Sequence, residues 1–165
     1  MIGAPSFGAD FDAIRELLEF WQETETQHRP GVCMPAIDSF ECTYGVVLPE
    51  DLREYFLAAN GLYEWDEDNR LVEFYPLEEL RPATEPRPQH VDLLAEIPDP
   101  RTWFVIADYL VSSHVFAVQL RDVAAAGGAV ISAYGPLWRI VARSWAEFLH
   151  RHVWLPRSVF PWPDE

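Results

Sequence analysis

Apolar side chains near the start of the chain recur at helical spacing. Within residues 10–27 they form one stripe, made of Phe11, Ile14, Leu17, Leu18 and Trp21. Residues three and four apart lie on the same face of a helix, so this spacing predicts an amphipathic helix. Asp10 or Asp12 can cap its start, and Pro30 and Gly31 cannot easily continue it, so the helix is expected to end before them.

Two shorter helices are predicted to follow. Residues 35–44 read PAIDSFECTY, with Ile37 and Phe40 on one side, and the next residue, Gly45, suits the left-handed position beyond a helix end. A further helix is predicted in LPEDLREYFLAANG, where it starts at a proline, which lacks the N–H that a first turn leaves unpaired. Acids follow at once and complement the positive end of the helix dipole. Gly61 is predicted to end this helix in a left-handed conformation.

The second half of the chain carries the strongest strand signals. Apolar runs and period-two alternation predict four strands, over residues 103–107, 115–120, 129–134 and 137–142. A shorter strand is predicted at residues 71–75, before one helical turn in LEEL. Residues 82–100 hold five prolines and are predicted to form a surface loop with a short helix near residues 91–96.

A final helix and a proline-rich tail close the sequence. Ser144 and Glu147 form a capping box, a serine at the helix start with a glutamate three residues on. The helix over residues 144–154 leads to PRSVFPWPDE, which is predicted to pack as an extended arm or to stay mobile. Helices segregated from a mostly antiparallel sheet of four to six strands predict a single-domain α+β fold. The predicted divisions are a helical extension over 1–34, the α+β domain over 35–153 and the tail over 154–165.

Charge is distributed unevenly along the chain. The formal net charge is −15, and all twelve basic residues are arginine. Residues 1–100 hold 22 acids against 6 arginines, a net of −16, whereas residues 101–165 hold 5 against 6, a net of +1. Nucleic-acid binding requires a basic surface, so nucleic acid is not expected as a partner, whereas a basic protein would be attracted. The same charge also serves solubility, and the sequence leaves both explanations open.

Candidate chemistry is sparse. Without lysine the chain has neither a lysine Schiff base nor a P-loop lysine. None of its five histidines belongs to an H-E-x-x-H pattern, no serine lies in a G-x-S-x-G elbow, and the acids of residues 64–68 miss the spacing of a calcium loop. Cys33 and Cys42 belong to no C-x-x-C pair. No catalytic, metal-binding or cofactor-binding residues are therefore predicted, while the pairing of the two cysteines and the oligomeric state stay open.

An acidic, aromatic segment is the predicted partner-binding surface. Four of the seven tryptophans fall on predicted core faces, namely Trp21, Trp103, Trp138 and Trp145. Trp65, by contrast, lies among acids in YEWDEDNR, and aromatic anchors within charge are typical of protein-binding surfaces. Covering a sheet edge is the alternative role for this segment. The residues predicted to contact a partner are Tyr63, Glu64, Trp65, Asp66, Glu67, Asp68 and Asp108.

Four segments, in this order, carry a resemblance to a known family. They are IDSFECTYGVVLPEDLREYFLAANG (37–61), VEFYPLEEL (72–80), WFVIADYLVSSHVFAVQL (103–120) and IVARSWAEFL (140–149). The chain resembles the SUKH superfamily, whose founding members are fungal cell-wall synthesis regulators of the Smi/Knr type. It departs from that pattern in two places: Trp145 stands where phenylalanine is usual, and the turn after Asp108 lacks the glycines often found there.

The resemblance implies a central sheet packed by helices and no catalytic activity. Bacterial members of the superfamily are commonly immunity proteins, which bind a cognate toxin, often a nuclease or deaminase, and block it. A basic toxin domain is therefore the expected partner. Two alternatives stay open: a regulatory adaptor for a housekeeping protein, and an enzyme that uses converging carboxylates, with or without a metal ion.

The expected location is the cytoplasm, and no membrane partner is expected. The first residues lack the basic start and apolar run of a secretory signal. No stretch approaches the roughly 18 consecutive apolar residues that a membrane span needs.

Overall fold

The structure, a computed structural model, describes residues 8–162, with side chains from Asp12 onward. Its helices α1 to α4 span Gly8–Glu23, Met34–Tyr44, Glu50–Ala58 and Trp145–Trp154. Its strands β1 to β8 span His28–Pro30, Ala59–Leu62, Val72–Phe74, Arg81–Pro82, Trp103–Tyr109, His114–Gln119, Val130–Tyr134 and Leu137–Ala142. The Phe11 side chain, predicted to join the apolar stripe of α1, lies outside the described residues. Within them, each helix is too short or too polar to cross a membrane.

Six of the strands form one antiparallel sheet. Its order is β3, β5, β6, β7, β8, and β4 also pairs with β5, on the same side as β3. Strands β5 to β8 follow one another by short connections, as antiparallel neighbours allow. Strands β1 and β2 pair separately as a small antiparallel ribbon. This arrangement confirms the predicted single-domain α+β fold.

Helices α1 and α4 cover one face of the large sheet with aromatic side chains. Phe116 of β6 meets Phe148 of α4 with ring centroids 4.9 Å apart, and Phe74 of β3 meets Trp145 at 6.2 Å. Trp21 of α1 reaches the same Phe74 at 5.3 Å. Each such pair contributes about 0.5–1.5 kcal/mol beyond the burial of its area. Helix α1 therefore shares one hydrophobic core with the sheet. The division of the chain into a helical extension, an α+β domain and a tail, at residues 34 and 153, remains a prediction from the sequence.

Helices α2 and α3 begin and end largely where the sequence indicates. The C-cap of α2 is Gly45, which is left-handed (φ 66°) and donates its N–H to the Glu41 carbonyl. Pro49 precedes α3, and the Asp51 carboxylate accepts the N–H of Ala146 at 2.8 Å, which ties the start of α3 to that of α4. The end of α3 differs from the prediction, because the chain passes directly into β2 and Gly61 lies in that strand.

Gly61 allows two backbone segments to approach closely. A Cβ at this left-handed residue (φ 69°) would lie 2.6 Å from the carbonyl oxygen of Phe74 and 2.8 Å from that of Tyr75. Gly45 has nearly the same φ, but a Cβ there would meet nothing within 4 Å among the described residues. Both alanine variants carry left-handed strain, and only Gly61→Ala must also displace backbone.

Gly61→Ala is therefore expected to lower the free energy of unfolding by about 2–3 kcal/mol more than Gly45→Ala does. Urea denaturation of the two variants beside the wild type measures this difference. Equal losses in the two variants would show that the close approach at Gly61 is absent.

The predicted cap of α4 is confirmed, and two further local predictions are wrong. Ser144 caps α4, since its Oγ accepts the N–H of Glu147 at 3.1 Å. Trp138, however, is exposed rather than in the core, because β8 is the last strand of the sheet. Residues 91–96 form successive turns and no α-helix. Cys33 and Cys42 are both free and exposed.

The C-terminal segment packs as an arm against the sheet. Arg139 of β8 donates from Nε to the carbonyl oxygen of Phe160 at 2.7 Å and from Nη2 to that of Ser158 at 3.1 Å. Phe160 and Trp162 then cover the ring of His114, with centroids 5.6 and 5.7 Å away. The tail is thus an extension of the core up to Trp162.

This arm buries His114 without polar partners. Its ring stacks on Tyr109 at 4.6 Å, and neither ring nitrogen has a hydrogen-bond partner within residues 8–162. Burial lowers the pKa of His114 to about 4, against the attraction of the Asp108 carboxylate, which raises it. The unfolded chain therefore binds a proton near pH 6.5 that the folded ring resists until about pH 4, and stability is lost as the pH falls through this window.

Acidification from pH 7 to pH 5 is expected to lower the free energy of unfolding of the wild type by about 2 kcal/mol more than that of a His114→Phe variant. Phenylalanine fits a site lined by aromatic rings and removes the titration. Urea unfolding of both proteins at the two pH values gives the comparison. The interpretation fails if the two proteins lose the same stability.

Candidate functional site

A loop over residues 63–68, named here the Trp65 loop, holds a tryptophan out in solvent. The Trp65 side chain is 74% exposed, and its backbone is left-handed, with φ 68°. The conformation is held in place by Glu73 of β3, whose carboxylate accepts the Trp65 N–H at 2.7 Å. A left-handed backbone is uncommon for a residue other than glycine and marks a position that its surroundings impose.

A second loop beside the first contains three left-handed residues in a row. Leu110, Val111 and Ser112, named here the left-handed turn, have φ values of 46°, 52° and 63°. Val111 is β-branched, for which this conformation is an outlier, and its side chain is 74% exposed. Its N–H donates to the Glu67 carboxylate at 3.0 Å, which links the turn to the Trp65 loop. The turn therefore takes a left-handed shape without the glycines usual at this place.

The two loops form part of the rim of a cleft of about 280 Å³, named here the acidic cleft. The cleft lies where β3, β4 and β5 meet at one side of the sheet. Arg81 and Arg87 are the arginines in its lining. The carboxylates in its lining are more numerous, namely Glu64, Glu67, Glu73, Glu79 and Asp108. The cleft is thus negatively charged and bordered by apolar side chains.

A hydrogen-bonded cluster makes the floor of the acidic cleft. The buried Asp108 accepts hydrogen bonds from the hydroxyl groups of Tyr75 and Ser112, the latter at 2.9 Å. Nε2 of His90 lies 3.2 Å from Ser112 Oγ and 3.7 Å from Asp108 Oδ2. Burial raises the pKa of Asp108, but the contacts from His90, Tyr75 and Ser112 outweigh it and hold the pKa below its ordinary value.

The cluster combines a serine, a histidine and an aspartate, yet it does not form a catalytic relay. In such a relay the serine and the carboxylate contact different nitrogens of the histidine ring. Here both lie beside Nε2 of His90, and Nδ1 has no hydrogen-bond partner in the described part of the chain. The arrangement orders the cleft floor.

The charge of the acidic cleft depends on pH through Glu73. Burial raises the pKa of Glu73 to about 6, the Trp65 N–H opposes this shift, and the nearby Asp108 and Glu79 carboxylates add to it. Arg87, also in the lining of the cleft, pairs with Glu79 at 3.5 Å and lies over the Tyr75 ring at 4.2 Å from its centroid. Because Glu73 gains a proton near pH 6, the cleft is more negative at pH 7 than at pH 5.

Two of the residues predicted to contact a partner are buried, which corrects that part of the prediction. Asp108 lies at the cleft floor, and Asp68 lies in the core. Asp68 Oδ2 accepts the indole N–H of Trp21 at 3.0 Å and contacts Nε2 of His152 at 2.6 Å, while Oδ1 accepts the N–H of Arg70 at 2.9 Å. Burial raises the pKa of Asp68, but these contacts outweigh it and lower the pKa. Asp68 is therefore a structural anchor of the Trp65 loop.

The other predicted residues are divided between two surfaces. Glu64, Trp65 and Glu67 line the acidic cleft, and Asp66 is exposed beside them. Tyr63 instead lines an open groove of about 730 Å³ between α1 and α3, and Arg29 lies 5.3 Å from its ring centroid. Sequence reasoning missed Val111. The one available signal was a turn after Asp108 that lacks the expected glycines.

Among the side chains that the structure describes, from Asp12 to Trp162, no group of three or more histidine, cysteine, aspartate or glutamate residues is arranged to hold a metal ion. Four of the five carboxylates of the acidic cleft are instead engaged with backbone N–H groups, an arginine or hydroxyl groups, namely Glu67, Glu73, Glu79 and Asp108.

The fold and the site define a small α+β protein whose acidic cleft has a hydrogen-bonded cluster as its floor. Residues 35–151 match the SMI1 / KNR4 family (SUKH-1). The match covers more than half of the chain, so the protein belongs to this family, and the resemblance read from its sequence is confirmed. Members of the family are generally non-enzymatic immunity or regulatory proteins that act through protein–protein interaction. No individual curated protein matches the chain significantly.

Proposed function

We propose that this protein is an immunity protein that binds and blocks a basic toxin domain, of the nuclease or deaminase type, through the acidic cleft. The observation that carries the proposal is the pair of exposed apolar side chains on its rim, Trp65 and Val111. Each stands on a left-handed backbone that a neighbouring carboxylate fixes. Strain of this kind costs about 1–3 kcal/mol per residue and clusters at functional sites. Core packing gives no reason for it here, since both side chains face solvent.

A basic partner accounts for the charge of the cleft. Its five carboxylates outnumber its two arginines, and Arg87 is already paired with Glu79. Opposite charge speeds encounter and rejects wrong partners, while a desolvated tryptophan supplies binding energy at the centre of an interface. Solubility explains exposed acids, but it does not explain apolar side chains held among them.

Occlusion is the expected mode of neutralisation. A nuclease or nucleic-acid deaminase binds its substrate through basic groups that contact phosphate. An acidic cleft that occupies those groups excludes the substrate without forming or breaking a covalent bond. Inhibition should therefore be competitive with nucleic acid and should weaken as the salt concentration rises.

Co-expression with toxin domains encoded beside its gene tests the proposal. The wild type is expected to rescue growth, and a Glu64→Arg/Glu67→Arg variant is expected to lose rescue. A Glu23→Arg/Asp122→Arg variant is the matched control, because it makes the same change in net charge at exposed residues outside the cleft lining. Full rescue by the cleft variant would refute the site. The protein would instead be a regulatory adaptor if it neutralised no neighbouring toxin and if the cleft were required for binding a housekeeping protein.

A further inference from the structure

A cavity of about 330 Å³ lies beneath the C-terminal arm and is named here the arm cavity. It shares no lining residue with the acidic cleft. Val72 of β3 and Tyr109 of β5 are register partners that line the arm cavity, whereas the adjacent partners, Glu73 and Asp108, line the cleft. Successive residues of a strand face opposite sides, so the two sites lie on opposite faces of the sheet.

The wall of the arm cavity is largely apolar. Aromatic and aliphatic side chains come from the start of β3, from β5 and β6, and from the arm, namely Leu71, Val72, Tyr109, Phe116, Val159 and Phe160. Small-molecule sites are typically clefts of about 300–1,000 Å³ with apolar walls and a few polar groups that fix the orientation of the ligand. The arm cavity lies at the lower end of this range, so it suits a compact ligand with an apolar body.

The charges in this lining are opposite in sign to those of the other grooves. Arg70 and Arg157 line the arm cavity, and no aspartate or glutamate does. The α1–α3 groove, the acidic cleft and a groove between α1 and α4 contain two, five and three carboxylates. Asp68 lies behind the His152 ring and is already engaged there. In a chain with 27 acids and 12 arginines, a lining of this kind favours an anion.

Neither arginine is neutralised by an ion pair within the described residues, where the arginine ion pairs involve four other arginines. The Arg70 guanidinium is held in place, since Nη2 donates to the Val153 carbonyl oxygen at 2.9 Å and the group lies 5.2 Å from the Phe20 ring centroid. Its buried Nε has no hydrogen-bond partner among those residues. Arg157 is exposed. A fixed guanidinium without a carboxylate partner is suited to bind one from a ligand.

We propose that the arm cavity binds a small carboxylate with an apolar body, of the medium-chain fatty acid type. The carboxylate lies between the guanidinium groups of Arg70 and Arg157, and the apolar body packs against Phe116 and Val159. An inorganic anion would leave the apolar wall in contact with water, and an uncharged apolar ligand would leave the two cations without a counter-charge. The site is independent of the proposed function, because it lies on the opposite face of the sheet from the acidic cleft.

Isothermal titration calorimetry with three probes tests the proposal. Octanoate carries both the carboxylate and the apolar body, acetate carries only the carboxylate, and 1-octanol carries only the body. Octanoate is expected to bind the wild type about tenfold or more tightly than either of the others. The proposal is overturned if octanoate does not bind, or if acetate or 1-octanol binds as tightly as octanoate does.

An Arg157→Glu variant tests the cations of the arm cavity. It is expected to bind octanoate about tenfold or more weakly than the wild type, because it loses one cation and adds a like charge. Arg101→Glu is the matched control, since Arg101 is exposed, lies outside the lining and undergoes the same charge change; its affinity should stay within about twofold. Unchanged octanoate affinity in Arg157→Glu overturns the proposal.

A measurement on the wild type alone covers the case in which Arg157→Glu fails to fold. In NMR spectra, saturation with octanoate is expected to shift the amide signals of residues 69–72 and 156–160, which line the cavity from its two sides. Shifts confined to the acidic cleft or to the α1–α3 groove would place octanoate elsewhere and would overturn the proposal.

Discussion

Replacement of Asp68 by alanine is expected to lower the free energy of unfolding by about 3–5 kcal/mol. The buried Asp68 carboxylate accepts hydrogen bonds from the indole N–H of Trp21 and the backbone N–H of Arg70, and it contacts the ring of His152. Alanine leaves these buried groups without their acceptor, and the lost hydrogen bonds are not replaced by water. The Trp65 loop should also lose its fixed shape, since Asp68 anchors its end.

Asp66→Ala is the matched control for this prediction. Asp66 lies two residues away in the same loop and is exposed, so its truncation should change stability by less than about 0.5 kcal/mol. Chemical denaturation of the two variants and the wild type gives both values. If Asp68→Ala lowers the free energy of unfolding by less than about 1 kcal/mol, the buried contacts of Asp68 do not stabilise the fold as proposed.

Trp65→Ala is expected to weaken binding of the cognate toxin by about 2–4 kcal/mol, which is roughly 30- to 1,000-fold in Kd. Tryptophan is a frequent hot-spot residue at interfaces, and this one is 74% exposed before binding. Fold stability should be nearly unchanged, because the side chain buries little area in the free protein. Isothermal titration calorimetry with the purified toxin domain measures the affinity.

Trp154→Ala is the control for the loss of a large exposed ring. Trp154 is exposed at the end of α4, where its indole donates to Glu16, and it does not line the acidic cleft. Its removal should leave toxin affinity within about threefold of the wild type. Similar losses for both tryptophan variants would mean that the cleft rim has no special role.

Much of the fold is predictable because its signals are local. The cap at Ser144, the left-handed Gly45 and the apolar run of β5 depend on neighbours within a few residues. Trp138 shows the limit of this reasoning. Its apolar strand pattern fits a core position, but whether β8 lies inside the sheet or at its edge depends on the whole strand order.

The acidic cleft was only partly predictable for the same reason. Glu64, Trp65 and Glu67 are neighbours in sequence, so composition alone draws attention to them. Glu73 and Val111 join them only because β3 pairs with β5 and because Glu67 accepts a hydrogen bond from a residue 44 positions away.

Burial separates residues that composition treats alike. Asp66 and Asp68 are two residues apart and chemically identical, yet one faces solvent and the other lies beside Trp21 in the core. Sequence composition cannot distinguish the two, since the difference arises from how the loop returns to β3.

Hydrogen–deuterium exchange of this protein, free and bound to a neutralised toxin domain, tests the central claim most directly. The claim is that a basic protein docks on the acidic cleft and its two rim loops. We predict that exchange slows at residues 64–67 and 110–113 on binding and changes little across the α1–α3 groove, which includes Tyr63. Protection confined to that groove or to other surfaces, with unchanged exchange at the rim loops, would contradict the claim.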